Sequence, residues 1–308
     1  MAIISFWSGS KKETGQTLAI TALATRMAIE HNYRILLIDA TFDDDTMERC
    51  FWKVNRKKDI AKLLNKGKMD ISSGAEGLVS AVASNKTTPE IITNYTRAVF
   101  KTLDVLCGLK TKIPEEFTKS LMLYKDLVNI ANKYYDIVLV DVEKTLKKDT
   151  TKALLEASTF IVYDFTQNLE QINSYIEIMQ ENKTILKPDK IITLLSNADD
   201  SSKYNMKNVA RYVKDKNLVQ VPYNKVFSDA ASEAGVAQFF IKNAMTPAKD
   251  VIVSITDEEN KKALVIVNED NLSLAIGKKG SNIKLASRLT KYTLEIKTME
   301  EINKAGNS

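Results

Sequence analysis

The sequence predicts a doubly wound α/β domain with a mostly parallel sheet, followed by a small α+β domain. Short apolar runs without polar alternation recur between helical patterns through about the first 243 residues. Such runs are typical of strands buried on both faces, as in a parallel sheet covered by helices. After about residue 246, two adjacent strands, a short helix, a glycine turn, a second helix and a last strand follow. We therefore expect two domains, residues 1–243 and residues 244–308.

The elements of the first domain follow from its apolar runs and from one clear helical pattern. Gly15–Glu30 carries apolar residues at helical spacing and predicts a helix after the first strand. The strands that we predict are Ala2–Trp7, Arg34–Asp39, Thr102–Leu106, Asp136–Val140, Phe160–Tyr163, Lys190–Leu195 and Leu218–Pro222. Because helical segments separate most of these strands, we expect parallel crossover connections.

The second domain begins near Pro247, since proline cannot continue the preceding helical pattern. The elements predicted here are strands Val251–Thr256 and Ala263–Val267, helices Asn271–Ile276 and Ser281–Leu289, and strand Thr293–Lys297. Five apolar residues at helical spacing are expected in the core: Ile276, Ile283, Leu285, Ala286 and Leu289. The polar tail after Met299 is expected to fray.

Composition excludes several classes of protein. The chain has 308 residues, and its net charge of +5 does not by itself indicate a nucleic-acid partner. Two cysteines, Cys50 and Cys107, are too few for a disulfide scaffold, and the lone His31 lacks the companions of a zinc site. No apolar stretch is long enough to span a bilayer, and the N-terminal run lacks the basic leader of a signal peptide. We expect a cytoplasmic protein.

The segment after the first strand has the layout of a phosphate-binding loop. Residues Ser8–Thr17 lie between a strand and a helix, where the backbone N–H groups of such loops meet phosphate. Gly15 and Thr17 occupy the positions of the last glycine and of the hydroxyl that binds magnesium. Gln16 stands where the phosphate-binding lysine belongs. From this pattern alone, an ordinary strand–turn–helix is a serious alternative.

Residues further along the chain resemble the ParA/MinD family of deviant Walker-A ATPases, and within it the relatives of TadZ. Leu36–Asp39 resembles the second strand with its acidic end, and Tyr135–Asp141 resembles the Walker B strand. Leu194–Asn197 and Val221–Asn224 resemble the segments that flank the base. The resemblance covers about residues 1–243. It implies a homodimer that binds ATP or ADP with Mg²⁺.

The same resemblance assigns roles to individual residues. It implies catalytic roles for Lys11, Asp39 and Asp141, with Thr17, Asp39 and Asp141 near Mg²⁺ when nucleotide binds. The nucleotide-binding residues that it implies are Gly9, Lys11, Lys12, Gly15, Gln16, Thr17, Asn197 and Pro222. If the fold has kept its shape and lost its ligand, Asp39 and Asp141 are only carboxylates at strand ends.

The loop departs from the family pattern in ways that affect its chemistry. Aligned on Gly15, Lys11 matches the lysine that reaches the partner's nucleotide. Lys12 and Glu13, however, replace glycines, and Gln16 replaces the catalytic lysine. The lysine charge stabilises the transition state of phosphoryl transfer, and losing such a contact lowers the rate about 10²–10³-fold. We therefore expect ATP hydrolysis to be slow or absent.

The second domain carries a G-x-x-G turn, Gly277–Gly280, between its two helices. Glycines let a sugar–phosphate backbone approach closely because they have no Cβ, and the next helix offers N–H donors at its start. The nucleic-acid-binding residues that we predict are Gly277, Lys278, Lys279, Gly280, Lys284 and Arg288, with Lys291 extending the basic flank.

The segment from about Phe239 to Lys297 resembles the KH domains of the transcription elongation factor NusA. The matching residues are those of Ala263–Val267 and Leu272–Thr290. KH domains hold about four nucleotides of a single strand at this turn, so the resemblance implies single-stranded RNA or DNA as a partner. A KH fold reused for protein contacts or dimerisation is the alternative.

These observations favour a positioning or partition-type protein with weak or absent ATP hydrolysis, which binds single-stranded nucleic acid through its KH domain. Relatives of the first domain suggest a mobile-element, conjugation or DNA-segregation system, by analogy alone. Two alternatives stay open. One is an active Walker-type ATPase that acts as a partition motor, and the other is a scaffold in which both sites are relics.

Overall fold

The structure of the chain is a computed structural model that describes residues 1–10, 12–53, 74–85, 87–144 and 149–306. Lys11, which the sequence analysis places at the nucleotide of a partner subunit, lies outside these residues. The predicted strands and helices of both domains are present, with boundaries shifted by a few residues. No helix in the described ranges combines the length and the apolar character that a membrane crossing needs.

The elements are numbered here in chain order. The strands are β1 (Ala2–Trp7), β2 (Ile35–Ala40), β3 (Arg97–Phe100), β4 (Leu103–Leu106), β5 (Ile137–Val142), β6 (Phe160–Thr166), β7 (Ile191–Ala198), β8 (Val219–Pro222), β9 (Ile252–Asp257), β10 (Lys262–Val267) and β11 (Thr293–Thr298). The helices are α1 (Gln16–Glu30), α2 (Thr46–Phe51), α3 (Gly74–Ala83), α4 (Pro114–Leu121), α5 (Tyr124–Ala131), α6 (Asp149–Ala157), α7 (Leu169–Glu181), α8 (Met206–Val213), α9 (Lys225–Ser232), α10 (Val236–Ala244), α11 (Glu269–Ile276), α12 (Ser281–Thr290) and α13 (Met299–Gly306). Pro89–Asn94 forms a short 3₁₀ helix, whereas Lys278–Gly280 is a turn in which Lys279 and Gly280 have positive φ.

Within the described residues, eight strands form one sheet in the order β3-β4-β2-β5-β1-β6-β7-β8. All neighbouring pairs are parallel except β3 and β4. This confirms the predicted doubly wound, mostly parallel architecture. Strand β3 was not predicted, because its four residues are half exposed at the sheet edge and lack a continuous apolar run.

Helices cover both faces of this sheet. Most residues of the central strands are buried, and in β2 (Ile35–Ala40) every residue is buried. One apolar cluster lies on the face that carries α3–α8, and a second lies on the face that carries α1, α2 and α10. Because strands β1, β2, β4, β5, β6 and β7 contribute residues to both clusters, burial on two faces explains their unbroken apolar runs.

The C-terminal domain has its own three-stranded sheet, in the order β11-β10-β9. Strands β9 and β10 are antiparallel, as the predicted hairpin requires, and β10 pairs with β11 in parallel. Alternate residues of β10, namely Ala263, Val265 and Val267, are buried. Helices α11 and α12 pack on each other and against this sheet.

Two expectations about this domain were wrong. The tail after Met299 forms helix α13 instead of fraying. Ile276, Leu285 and Leu289 are exposed, although their spacing predicted core positions. The buried face of α12 instead contains Ala286 and Thr290 beside the half-buried Ile283. These three lie one helical turn apart, which leaves Leu285 and Leu289 on the outer face.

The two domains share one buried cluster. Residues of β1, β2 and α1 belong to the same apolar cluster as residues of β10, α12 and β11. Helix α10 packs against α1 and α2 on one side and against β9 and α12 on the other. The predicted division after residue 243 stays a prediction, but the packing across it is continuous.

Tyr292 is a central contact between the domains. Its ring packs edge-on against Phe100 with centroids 5.6 Å apart, and its hydroxyl donates a 3.0 Å hydrogen bond to the carbonyl oxygen of Val99. Lys261 donates from Nζ to the neighbouring carbonyl oxygen of Ala98 at 2.6 Å. The C-terminal domain therefore covers the β3 edge of the large sheet.

We expect the two domains to unfold in one cooperative transition. Replacing the buried Tyr292 (Tyr292→Ala) should lower the free energy of unfolding by about 3 kcal/mol, because it removes a large buried ring and a hydrogen bond. Urea denaturation followed by circular dichroism measures this. The exposed Tyr223 provides the control, since Tyr223→Ala should cost no more than about 0.5 kcal/mol. Two separate transitions in the unchanged protein would contradict a shared core.

Candidate nucleotide and nucleic-acid sites

The loop after β1 lies at the switch point of the large sheet. Strand β1 sits between β5 and β6; the chain passes from β1 to β2 on one side of it, and β6, β7 and β8 lie on the other side. Ligands of doubly wound sheets bind at such a point, outside the carboxyl ends of the strands. Gly15 precedes α1 in the left-handed conformation with φ of 87°, and no side chain caps the helix start. The free N–H groups there suit an anion.

Gln16 does not extend toward this anion position. Its Nε2 lies 2.5 Å from Oδ1 of Asp141 and 3.1 Å from the carbonyl oxygens of both Phe6 and Val142. The amide is therefore engaged by the ends of β1 and β5. The side chain that replaces the phosphate-binding lysine anchors the loop to the strand ends instead.

Asp141 and Thr17 are in direct contact, and their predicted roles at a magnesium ion stay predictions. Thr17 donates from its hydroxyl to Oδ2 of Asp141 at 2.6 Å, so both carboxylate oxygens of Asp141 accept from the loop. Burial raises the pKa of Asp141 to about 6, although the bonds from Thr17 and Gln16 oppose the shift.

Asp39 is the partner of Asp141 in the register of β2 and β5. Burial, and then the nearby charge of Asp141, raise the pKa of Asp39 to about 8. The backbone N–H and the hydroxyl of Thr41 both donate to Oδ1 of Asp39, which partly offsets the shift. Burial and the charge of Asp141 therefore both favour the protonated form of Asp39, and its predicted role as a magnesium-linked carboxylate stays a prediction.

Two further charged residues near the loop were missed by the sequence analysis. Asp164, buried within β6, accepts a hydrogen bond from Ser196, and burial raises its pKa to about 7. Lys144 donates from Nζ to the carbonyl oxygen of Lys12 at 3.4 Å, and its charge opposes the raised pKa of Asp141. An acidic residue inside an apolar strand is a sequence signal that could have identified Asp164. No feature of the sequence around Lys144 identifies it as a residue of this site.

Gly9 and Lys12 lie on the loop with different neighbours. A Cβ at Gly9 would come within 2.2 Å of Cδ1 of Ile178 and 2.7 Å of the Tyr163 hydroxyl, so a larger residue there would have to displace the ends of these two side chains. The exposed ammonium of Lys12 lies 2.5 Å from a carboxylate oxygen of Glu170. Their predicted contacts with nucleotide stay predictions.

The predicted base-flanking residues lie at the same end of the sheet. Asn197 approaches the loop, with Nδ2 3.5 Å from the carbonyl oxygen of Thr14 and close to Gly15. Pro222 is exposed at the end of β8, opposite Ala198 in the register. Among the described residues, no three Asp, Glu, His or Cys side chains converge to hold a metal ion alone. A magnesium ion here would need phosphate oxygens as additional ligands.

The glycine turn of the C-terminal domain has the backbone that only glycine adopts freely. Gly277 has φ of 71° and ψ of 172°, and Gly280 has φ of 73°. A Cβ at Gly277 would lie 2.7 Å from the backbone nitrogen of Asn282. Asn282 in turn donates from Nδ2 to the carbonyl oxygens of Leu274 and Met245, at 3.0 and 3.1 Å, which ties the turn to the end of α10.

The turn faces solvent and carries the predicted cations. Lys278, Lys279, Lys284 and Arg288 are all exposed, and no side chain caps the start of α12. A groove of about 390 Å³ beside the turn is lined by Leu272, Ser273, Ile276, Gly277 and Lys278. Apolar walls with flanking cations are suited to an unstacked base and its phosphate.

The C-terminal segment is similar in sequence to a known family of domains. Residues 237–304 match the family model of a NusA-like second KH domain. The transcription termination/antitermination protein NusA of Borreliella burgdorferi is 42% identical over 81 residues. That match covers 26% of this chain and 15% of the NusA protein, so the likeness concerns this domain alone.

Solved structures share the fold of the larger domain. A ParA family ATPase from Chlorobium tepidum superposes with a TM-score of 0.56 at 16% identity, over 76% of this chain and 89% of that one. The septum site-determining protein MinD of Pyrococcus horikoshii, complexed with Mg-ADP, gives a TM-score of 0.54 at 16% identity, over 77% and 88% of the two chains. The chain thus combines a ParA/MinD-like fold with a NusA-like KH domain.

The raised pKa of Asp39 generates a pH-dependent stability. Asp39 has a pKa of about 8 when folded, against 3.8 ordinarily, so ionisation favours the unfolded chain. Its contribution to stability is complete below about pH 4 and is lost as the pH rises through 8. We expect the free energy of unfolding of Asp39→Asn, relative to that of the unchanged protein, to rise by at least about 1 kcal/mol between pH 5 and pH 8. Urea titrations at the two pH values measure the gain.

The exposed Asp189 provides the control for this comparison, because Asp189→Asn should shift stability equally at both pH values. The interpretation fails if the stability difference between Asp39→Asn and the unchanged protein is the same at pH 5 and pH 8.

Proposed function

We propose that this protein is a positioning or partition-type protein that holds single-stranded nucleic acid in its KH domain and hydrolyses ATP slowly or not at all. The observation that carries the proposal is the open glycine turn with its exposed lysines. The stretch from Gly277 to Tyr292 contains five basic residues and no acidic one. A local density of this kind supports a phosphate-bearing partner, although the whole chain has a net charge of only +5.

Nucleotide binding is supported by the start of α1. Gly15, the uncapped N–H groups and the Thr17 hydroxyl fit a bound phosphate, and Lys144 lies near enough to add charge. We propose that ATP or ADP with Mg²⁺ binds there, flanked by Asn197 and Pro222. Bound Mg²⁺ would neutralise phosphate charge. Gln16, held by Asp141, supplies no charge to a transferred phosphoryl group, and this supports slow hydrolysis.

A homodimer is part of the proposal. Lys11 would contact nucleotide across the interface, as the resemblance to ParA/MinD proteins implies. One KH domain binds about four nucleotides, so two linked copies would gain affinity through a raised effective concentration. We further propose a cytoplasmic location and a role in a mobile-element, conjugation or DNA-segregation system.

An active ATPase motor is the second candidate, because the Thr17–Asp141 hydrogen bond keeps the arrangement that a magnesium–nucleotide site needs. This candidate requires magnesium-dependent ATP turnover that Asp141→Ala abolishes.

The KH proposal is tested with labelled single-stranded RNA and DNA. Lys278→Ala combined with Lys279→Ala should weaken binding at least tenfold, an estimate of about 1.4 kcal/mol for two lost phosphate contacts. Fluorescence anisotropy measures the affinity. Lys183→Ala with Lys187→Ala removes the same charge from another exposed site and should change little. Equal affinity of both double variants for the oligonucleotides would exclude the turn as the binding site.

The nucleotide proposal is tested by restoring the missing lysine. We expect Gln16→Lys to raise magnesium-dependent ATP turnover about 10²-fold, because the charge acts mainly on the transition state. Gln16→Met, of similar length but without charge, should give no increase. Phosphate release measures turnover. If the unchanged protein already hydrolyses ATP as fast as Gln16→Lys, the slow-hydrolysis proposal is wrong and the motor is favoured.

A further inference from the structure

The C-terminal end of α12 meets two loops of the larger domain. Lys291, which follows α12, donates from Nζ to the carbonyl oxygen of His31 at 3.2 Å and to Oδ1 of Asn32 at 3.0 Å. It also lies 3.3 Å from the hydroxyl oxygen of Thr102, at the tip of the β3–β4 hairpin. Three segments that are far apart in the sequence therefore meet at Lys291.

The outer side of α12 leads from the glycine turn to this meeting point. Lys284, Arg288 and Lys291 follow one another at intervals of four and three residues, so they share a helix face. Exposed Leu285 and Leu289 lie directly beside them. The ten residues of α12 cover about 15 Å. A strand held at the turn can therefore follow cations and apolar side chains along the helix.

Beyond α12, the larger domain also presents a cation and an aromatic side chain. Lys101 is exposed and close enough to Lys291 that its charge adds to burial in lowering the pKa of Lys291. Tyr33 is 49% exposed, and its ring centroid lies 5.6 Å from that of His31. Arg34 is already engaged, with its guanidinium 3.8 Å from Asp136 and over the ring of Tyr134. We call His31, Tyr33 and Lys101 the junction surface.

We propose that a single strand held at Gly277–Gly280 continues along α12 and onto the junction surface, where Lys101 contacts phosphate and Tyr33 stacks on a base. The ligand is a sugar–phosphate backbone with unstacked bases, of either RNA or DNA. This inference rests on the proposed KH function and extends it, because the larger domain then contributes directly to the nucleic-acid site. The footprint exceeds the roughly four nucleotides of a KH turn.

The packing between domains makes such a composite site possible. Lys291 and Tyr292 fix the end of α12 against the β3–β4 hairpin, and the buried cluster is shared. The spacing between the turn and the junction surface is therefore set before the strand binds. Contacts on such a preformed surface lose little affinity to ordering of the protein.

The test compares oligo-thymidine DNA and oligo-uridine RNA of about 4 and about 12 nucleotides on the full-length protein. The long oligonucleotides should bind the unchanged protein more tightly than the short ones. Tyr33→Ala should weaken binding of the long ones at least about fivefold, as expected for one lost stacked base, and leave the short ones unchanged. Tyr33→Phe keeps the ring and should bind like the unchanged protein.

Lys101→Ala removes the charge at an exposed position, where we expect the substitution to leave folding unchanged. It should lower the slope of log Kd against log salt by about 0.7 for the long oligonucleotides, which corresponds to one phosphate contact. Lys101→Arg should keep the slope, and Lys183→Ala should not change it. A difference between the DNA and RNA arms identifies which of the two the surface prefers.

The inference is overturned if the long oligonucleotides bind the Tyr33→Ala, Lys101→Ala double variant as tightly as the unchanged protein. It is equally overturned if length brings no gain in affinity. Failure of the KH function itself looks different, because then neither length binds, or the Lys278→Ala, Lys279→Ala variant binds both normally.

Discussion

The packing of the KH domain onto the α1 face of the larger domain is the constraint on which the rest of the structure depends. Strands β1 and β2 share a buried cluster with β10 and β11, so neither domain has a complete core on that side without the other. Helix α1 begins at the loop after β1 and packs against α10 and α12. One helix therefore starts at the first candidate site and contacts the helix that follows the glycine turn, and apolar burial together with the hydrogen bonds of Lys261, Lys291 and Tyr292 sets the relative positions of the two sites.

The sequence predicted the elements whose signals are local. Central strands are continuous apolar runs, and α1 carries helical periodicity, so both appear where they were expected. Strand β3 was missed because it has no continuous apolar run that would predict a strand. Its extended conformation is stabilised by pairing with β4 at the sheet edge. The predicted buried face of α12 was wrong for a similar reason. Apolar spacing indicates that a helix has a buried side, but the side is chosen by its neighbours, here the sheet that contacts Ala286.

In the candidate sites, as in the fold, one part is predicted by local sequence signals and the other depends on tertiary packing. Gly15, Gln16, Thr17 and Asp141 come together because strand–loop–helix order and strand register dictate it. The turn of the Gln16 amide toward the strand ends depends on three acceptors from two strands, β1 and β5, and no sequence pattern encodes that. Asp164 and Lys144 join the loop only through tertiary packing. Long-range electrostatic neighbours are the part of a site that sequence patterns describe least well.

The side chains that cover strand β3 have a consequence for the solubility of the fold. Open sheets end in strands whose free carbonyl and amide groups can recruit another chain, which is a common route to aggregation. Here Lys261 and Tyr292 occupy the carbonyl oxygens of Ala98 and Val99. The KH domain thus acts as a permanent cover for one border of the large sheet. Removing it would uncover apolar surface together with these two carbonyl groups, so the larger domain would lose this protection against self-association.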